Sequence, residues 1–230
     1  MNQIIKAARV EKQLIDESEL ALINAQTLVP QAAEGLFAFR LCACNDQVDR
    51  DIERFTERTL DQLAVLFVGR PVLRDHNWSA ECQTARVYAA SVAAQGGVKQ
   101  LILRAYMVRS ERTSGTIADI EAGILRECSV GVAVERALCS ICGEEYSQCD
   151  HRRGGEYDGK ICCVELDGAA DAYEVSLVAV PAQPGAGVVK RYEEAEKGKP
   201  SPEESGHENK ADFCLAHAMQ EQEEKRYGGM

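Results

Sequence analysis

The sequence predicts an α+β protein, mainly β with helices at its flanks, and three observations carry that expectation. Apolar runs of strand length recur at 36–44, 84–92, 98–108, 125–134 and 172–180, bounded by turn residues. Gln95-Gly96-Gly97 separates two of those runs, as a glycine turn in an antiparallel hairpin does. Two segments with apolar residues at helical spacing, 56–67 and 115–124, interrupt the series.

In chain order, residues 1–34 mix polar and aliphatic side chains, with Leu20, Leu22 and Ile23 ahead of Pro30, and read as a partly helical extension. Leu36 to Cys44 is dense in apolar residues and ends in Asn45-Asp46, as a buried strand and turn would. Strict alternation puts Cys42 and Cys44 on one face, where a core role is favoured over metal binding because no neighbouring His or Cys completes a ligand set. Asp49 to Phe55 reads as a charged connection. Thr56 can cap a helix whose Leu60, Leu63, Ala64 and Phe67 share a face, with Gly69 and Pro71 ending it. A second helix is expected from Gly115 to Ile124, capped by Thr113 or Ser114 and delivering the chain into the strand around Ser129. On that strand Ser129, Gly131 and Ala133 share one face, and Val130, Val132 and Val134 the other. Strand character returns at Ala172 to Val180. From about residue 191 Glu, Lys, Ser, Gly and Pro dominate, a composition that cannot bury enough apolar surface to offset ordering, so a disordered acidic tail is expected.

Composition narrows the function classes. A chain of 230 residues, 45% hydrophobic, can bury one substantial core and appendages. No run approaches the roughly 18 apolar residues of a membrane span. The formal charge of -11 argues against a surface that tracks phosphates, since nucleic-acid affinity rests on Lys and Arg displacing counterions. No apolar leader segment opens the chain, so the ten cysteines are read in a reducing compartment, as free thiols or metal ligands.

Histidine accounting gives the sharpest chemical inference. Of four histidines, His207 and His217 lie in the tail, His151 sits among cysteines, and His76 alone remains in the expected core. A serine hydroxyl is a weak nucleophile at neutral pH, so acyl transfer needs a base within hydrogen-bond reach and a third group to orient that base. Ser129 is the candidate nucleophile, His76 the base and Glu174 the third member, with Asp167 and Asp171 as competitors for the last role and Ser176 as a rival nucleophile. Glu127 occupies the first glycine position of a Gly-x-Ser-x-Gly elbow, which disfavours an α/β-hydrolase.

Between the Ser129 strand and the last strand lies a cysteine-rich interruption. Cys139-Ser140-Ile141-Cys142-Gly143 has the form of a zinc knuckle, and Cys149-Asp150-His151 offers two more donors. The expected ligands are Cys139, Cys142, Cys149 and His151, with Cys162 as the substitute for His151. Four protein ligands saturate a tetrahedral ion, so the site reads as structural.

Arg74-Asp75-His76-Asn77-Trp78, Glu127-Cys128-Ser129-Val130-Gly131-Val132, and the stretch Tyr173 to Ala186 occur in an order that resembles the tailed-phage prohead maturation proteases, a family related in fold to the herpesvirus assemblins. The resemblance spans roughly residues 35–190. It implies an assemblin-like antiparallel β-barrel, here with an inserted zinc loop at 137–163, and a serine endopeptidase that cleaves scaffold or capsid-protein extensions, and itself, inside the assembling capsid. Ser129 matches the nucleophile and His76 the base. The assemblins use a second histidine where this sequence offers Glu174, a chemically reasonable exchange because a carboxylate can hold the imidazole tautomer and stabilise imidazolium. Capsid protein and scaffold are then the expected partners, with a homodimer, no nucleic acid and no membrane, in the host cytoplasm within the prohead. Two other readings are a zinc-stabilised scaffold or assembly protein without catalysis, and a metallohydrolase built on the cysteines. The second is disfavoured by the saturated ligand set.

Overall fold

Turn and cap chemistry sets the ends of the elements in the computed structural model, which describes residues 15–189. The first residues of the expected N-terminal extension and the expected acidic tail lie outside the described residues. In order the elements are α1 (Glu17–Asn24), β1 (Leu36–Asn45), β2 (Glu53–Phe55), α2 (Glu57–Leu66), β3 (Pro71–Arg74), β4 (Ala85–Gln95), β5 (Val98–Val108), α3 (Glu111–Glu121), β6 (Cys128–Cys139), β7 (Glu156–Tyr157), β8 (Lys160–Ile161), β9 (Val164–Leu177) and β10 (Gly187–Val189). The β4–β5 hairpin turns at Gly96 and Gly97, whose φ of 59° and 83° satisfy the two positive values that a tight two-residue hairpin turn requires.

Both interior helices are started by side-chain oxygens. Thr56 Oγ1 accepts from Thr59 N at 3.3 Å and opens α2 as expected. α3 begins four residues earlier than its apolar spacing suggested. Ser110 is its N-cap, and Thr113 lies inside the first turn, where its Oγ1 accepts from Ser110 N at 3.0 Å. Ile117 and Ile120 are buried, whereas Ile124 lies past the helix end and is exposed.

The eight-stranded sheet runs β10-β1-β5-β4-β3-β9-β2, with β6 pairing β9 off that path. A strand has two edges. β6 takes one edge of β9 along its length, while β2 and β3 share the other, β2 against Val164 to Leu166 and β3 against Val175 to Leu177. The expected, mainly antiparallel barrel is corrected in its closure and qualified in its pairing. β2 and β3 run parallel to β9, one after the other along the same edge. The sheet does not close into a barrel, since β10 is only three residues long and meets the chain leading into β6 through the single bridge Glu127–Gly187.

Two further differences matter for the site. The charged stretch before Phe55 is not merely a connection, since Glu53–Phe55 pairs with β9. Cys42 and Cys44 do not share a face: Cys42 opposes Ile102 and Cys44 opposes Leu101, so a bulge at Ala43 reverses the alternation. Both thiols are buried among core residues.

The main core lies where α2 packs across β9, β5 and β4. Leu60, Leu63, Phe67, Val72, Leu101, Leu103 and Val175 are sealed from solvent there. Each such side chain contributes about 1.5–3 kcal/mol of burial. A smaller cluster of Ile23, Leu36, Tyr88, Ala89 and Tyr106 seats α1 against the hairpin. Beside it Glu19 Oε1 accepts from Arg104 Nη1 at 2.9 Å, and burial together with the Glu19 charge pushes the Tyr88 phenol up to about 12. Among the described residues no helix is long and apolar enough to cross a membrane.

Candidate active site and metal cluster

Register on the β6–β9 ladder places four residues in one square. Ser129 opposes Ser176, and Gly131 opposes Glu174. Directly opposed residues of an antiparallel pair point to the same face, and residues two apart on a strand do so as well. Ser129, Gly131, Glu174 and Ser176 therefore share a face. The ladder shifts register just beyond them, between Gly131 and Val132 and between Ala133 and Val134. The extra residues, Tyr173 and Ala170, are on β9, so β6 keeps the alternation expected of it, and Val130, Val132 and Val134 pack on the core.

A backbone turn brings His76 against two of these four residues, Glu174 and Ser176. β3 ends at Arg74, and Asp75 and His76 both take left-handed conformations, with φ of 53° and 52°. Two consecutive non-glycine residues in that region are strained and persist only where surrounding bonds hold them. Those bonds are Asp75 N to Leu177 O at 3.0 Å, Asn77 N to Arg74 O at 3.0 Å and His76 N to Ser176 Oγ at 3.0 Å. The result sets His76 Nδ1 at 2.7 Å from Glu174 Oε1, the imidazole half-exposed and the carboxylate 2% exposed.

A buried carboxylate is costly unless its oxygens are engaged. Here Oε1 meets His76 and Oε2 accepts from Ser176 Oγ at 2.5 Å. Gly131 makes room for the carboxylate, since a Cβ built at that position would lie 2.4 Å from Glu174 Oε1. The valine-rich strand thus carries a glycine where an acid lies flat against its backbone.

The competing assignments find other employment. Asp167 pairs with Arg58 at 3.0 Å and accepts from Thr56 Oγ1 at 2.9 Å, while Asp171 pairs with Arg70 at 2.8 Å. Ser176 is wholly buried and bonded on both sides, which removes it as a nucleophile open to a substrate. Ser129 is a half-buried residue whose hydroxyl has no hydrogen-bond partner among the described residues, His76 included. Next to the site, the ring of the bulged Tyr173 lies tilted at 52° against Trp78 with ring centroids 5.4 Å apart, and Trp78 is 69% exposed. A cleft of about 360 Å³ beside β6 is lined by Phe55, Val130, Val132, Leu166 and Ser129, with Asp49 and Glu53 also in its wall, but His76 and Glu174 are not part of it.

The sequence singles out Ser129, His76 and Glu174, but not the groups that hold the His76–Glu174 pair. Glu174 and Ser176 were legible as neighbours on one strand face; that the serine binds both the acid and the His76 backbone was not. The left-handed Asp75-His76 turn leaves a weak signal, because Asp and His are among the non-glycine residues enriched in that conformation.

The cysteine-rich interruption folds back on itself. Cys139 ends β6 opposite Val164, the first residue of β9, and Ser140 N donates to Cys163 O at 3.0 Å, so the insert has a narrow neck. Gly143, at φ 77°, turns the chain so that its N–H meets Cys139 O at 2.8 Å. Donor atoms of Cys139, Cys142, Cys149 and His151 all lie within 4.8 Å of one another and form a potential metal-binding site. Cys162 is also adjacent, its Sγ 3.8 Å from that of Cys139. The donor set fits a metal on two counts. Soft thiols and an imidazole converge, and His151 Nδ1 is buried with no hydrogen-bond partner among the described residues. Burial opposes ionisation of Cys139, yet the backbone N–H groups of Cys142 and Ile141 and the thiols of Cys142 and Cys149 outweigh it and bring Cys139 down to about 6. Burial, then the hydrogen bond and negative charge of Cys139, push Cys162 up to about 11.

The insert and the first residue of β9 also brace the start of β2. Arg153 Nη1 pairs with Glu53 Oε1 at 2.7 Å, and Val164 N donates to Ile52 O at 3.1 Å. Comparison with protein-family models, with curated proteins and with solved structures finds no match to this chain.

Proposed function

We propose that this chain is a serine endopeptidase in which Ser129 is the nucleophile, His76 the general base and Glu174 the residue that orients it. The observation that carries the reading is the 2.7 Å bond from His76 Nδ1 to a buried Glu174 carboxylate on the strand face that also presents Ser129. With Nδ1 engaged, Nε2 is the nitrogen left to accept a proton. Ser129 Oγ attacks the scissile carbonyl, its proton passes to His76, and the imidazolium then protonates the departing amine as the C–N bond breaks. Water repeats the sequence on the acyl-enzyme and restores Ser129.

The order of the motifs around His76, Ser129 and Glu174 resembles the phage prohead proteases, and from that resemblance the substrates are scaffold or capsid-protein extensions in the assembling prohead within the host cytoplasm. A homodimer and self-processing belong to the same reading. The exposed Trp78–Tyr173 pair beside the His–Glu pair suits contact with an extended peptide. The metal of the Cys/His cluster is proposed to be zinc, held by Cys139, Cys142, Cys149 and His151 with Cys162 as alternative ligand. Its chemistry there is structural cross-linking of the insert.

Coexpression of the full chain with its capsid protein, read by intact mass, tests the reading. Shortened capsid or scaffold chains that vanish with Ser129→Ala support it. Unprocessed partners in both samples, with the two chains still associated, would favour a scaffold or assembly role without catalysis.

A further inference from the structure

Ser176 stands behind the reacting groups, and its bonding gives it a part in their alignment. We infer that Ser176 is a positioning residue for the Glu174–His76 pair, a conclusion that rests on the catalytic reading of Ser129, His76 and Glu174. A hydroxyl has one hydrogen to give and two lone pairs to accept with. Ser176 uses both capacities, donating to Glu174 Oε2 at 2.5 Å and accepting from His76 N at 3.0 Å.

Each bond removes a different freedom. Glu174 has Oε1 on the imidazole and Oε2 on Ser176, so its carboxylate cannot rotate without breaking both. Gly131 closes the third side, because the carboxylate occupies the space in which a Cβ would stand. His76 is held at its ring by Glu174 and at its backbone by Ser176, and its φ of 52° needs such support. Ser176 also opposes Ser129 on the ladder, which ties the nucleophile's strand position to the base's turn.

A merely structural serine would act through packing and its backbone ladder bonds, which alanine keeps. The positioning role needs the hydroxyl. The full-length protein is therefore treated with an alkyl fluorophosphonate. Ser129 Oγ forms a bond to phosphorus, the P–F bond breaks, fluoride leaves and the Oγ proton passes to His76. Ser176→Ala is expected to keep the probe's saturation constant while its maximal labelling rate falls about tenfold or more, as loss of a hydrogen bond to a charged group implies. The downfield proton resonance of His76 Nδ1–H should shift upfield or broaden away, and Ser176→Thr should recover part of both signals. If Ser176→Ala does not fold, Ser176→Cys, which keeps the volume but weakens the donor, carries the same comparison. Wild-type labelling kinetics and an unmoved resonance in the variant would overturn the role of Ser176 alone. Failure of the wild-type chain to label at Ser129 would overturn the catalytic reading, and the positioning role with it.

Discussion

His76 Nδ1 and Glu174 Oε1 lie 2.7 Å apart although 98 residues separate them in sequence. The bond joins a strained turn at the end of β3 to the last third of β9, and β3 runs parallel to β9 immediately before that turn. The parallel pairing is thus what delivers the imidazole to the acid.

Replacing Glu174 with Gln keeps the shape but removes the charge that holds the imidazole tautomer. Ser129 labelling by a fluorophosphonate should fall by about 10³–10⁴-fold, with the fold intact by circular dichroism. A loss of less than tenfold would remove Glu174 from the proposed centre.

Gly131→Ala drives a methyl group to within 2.4 Å of Glu174 Oε1. The carboxylate must move or the strands must part, at a cost of about 1–3 kcal/mol. Urea unfolding should report that loss, and the His76 Nδ1–H resonance should change with it. A variant with unchanged stability and resonance would show that the carboxylate does not lie against this backbone.

Freshly purified, reduced protein should carry about one zinc per chain, and Cys139→Ser should lose it. Structural zinc contributes about 10–16 kcal/mol of apparent binding, comparable with a domain's whole stability of about 5–15 kcal/mol. Chelation should therefore loosen more than the insert. Because Arg153 and Val164 hold the loop at Ile52 and Glu53, amide exchange there should accelerate on zinc removal. Metal-free protein with unaltered exchange would contradict the bracing role.

Burial raises Asp49 above 3.8, and the Glu53 and Asp51 backbone N–H groups that bind its carboxylate only partly offset that rise. A carboxyl that holds its proton more tightly when folded contributes stability that is fully present below its unfolded pKa and is lost as pH rises through the raised value. Asp49→Asn keeps an oxygen for the two N–H groups and removes that titration. Its stability relative to wild type should improve as pH climbs from below about 3.8 toward neutrality. A difference independent of pH would contradict the assignment.

Local chemistry was legible in the sequence wherever one residue sufficed to specify it. Thr56 started its helix, Gly96-Gly97 turned the hairpin, and the alternation of β6 put Ser129 and Gly131 on one face. What depended on non-local pairing was not legible. Periodicity cannot reveal that β2 and β3 share an edge of β9, nor that one extra residue at Ala43 turns Cys42 and Cys44 to opposite faces. α3 starts early because Ser110 and Thr113 bind one another's groups, a pairing that apolar spacing does not register. The cysteine set was readable from its spacing, since four donors in a short insert have few other partners. Nothing local in the sequence marks Gly131 as the residue against which the Glu174 carboxylate lies.

Peptide mapping of the full-length protein after fluorophosphonate treatment decides whether Ser129, His76 and Glu174 act as one reacting centre. One adduct is expected, on Ser129, lost in Ser129→Ala and strongly slowed in both His76→Ala and Glu174→Gln. A chain that remains unlabelled at Ser129, or labels there equally fast without His76, would contradict it.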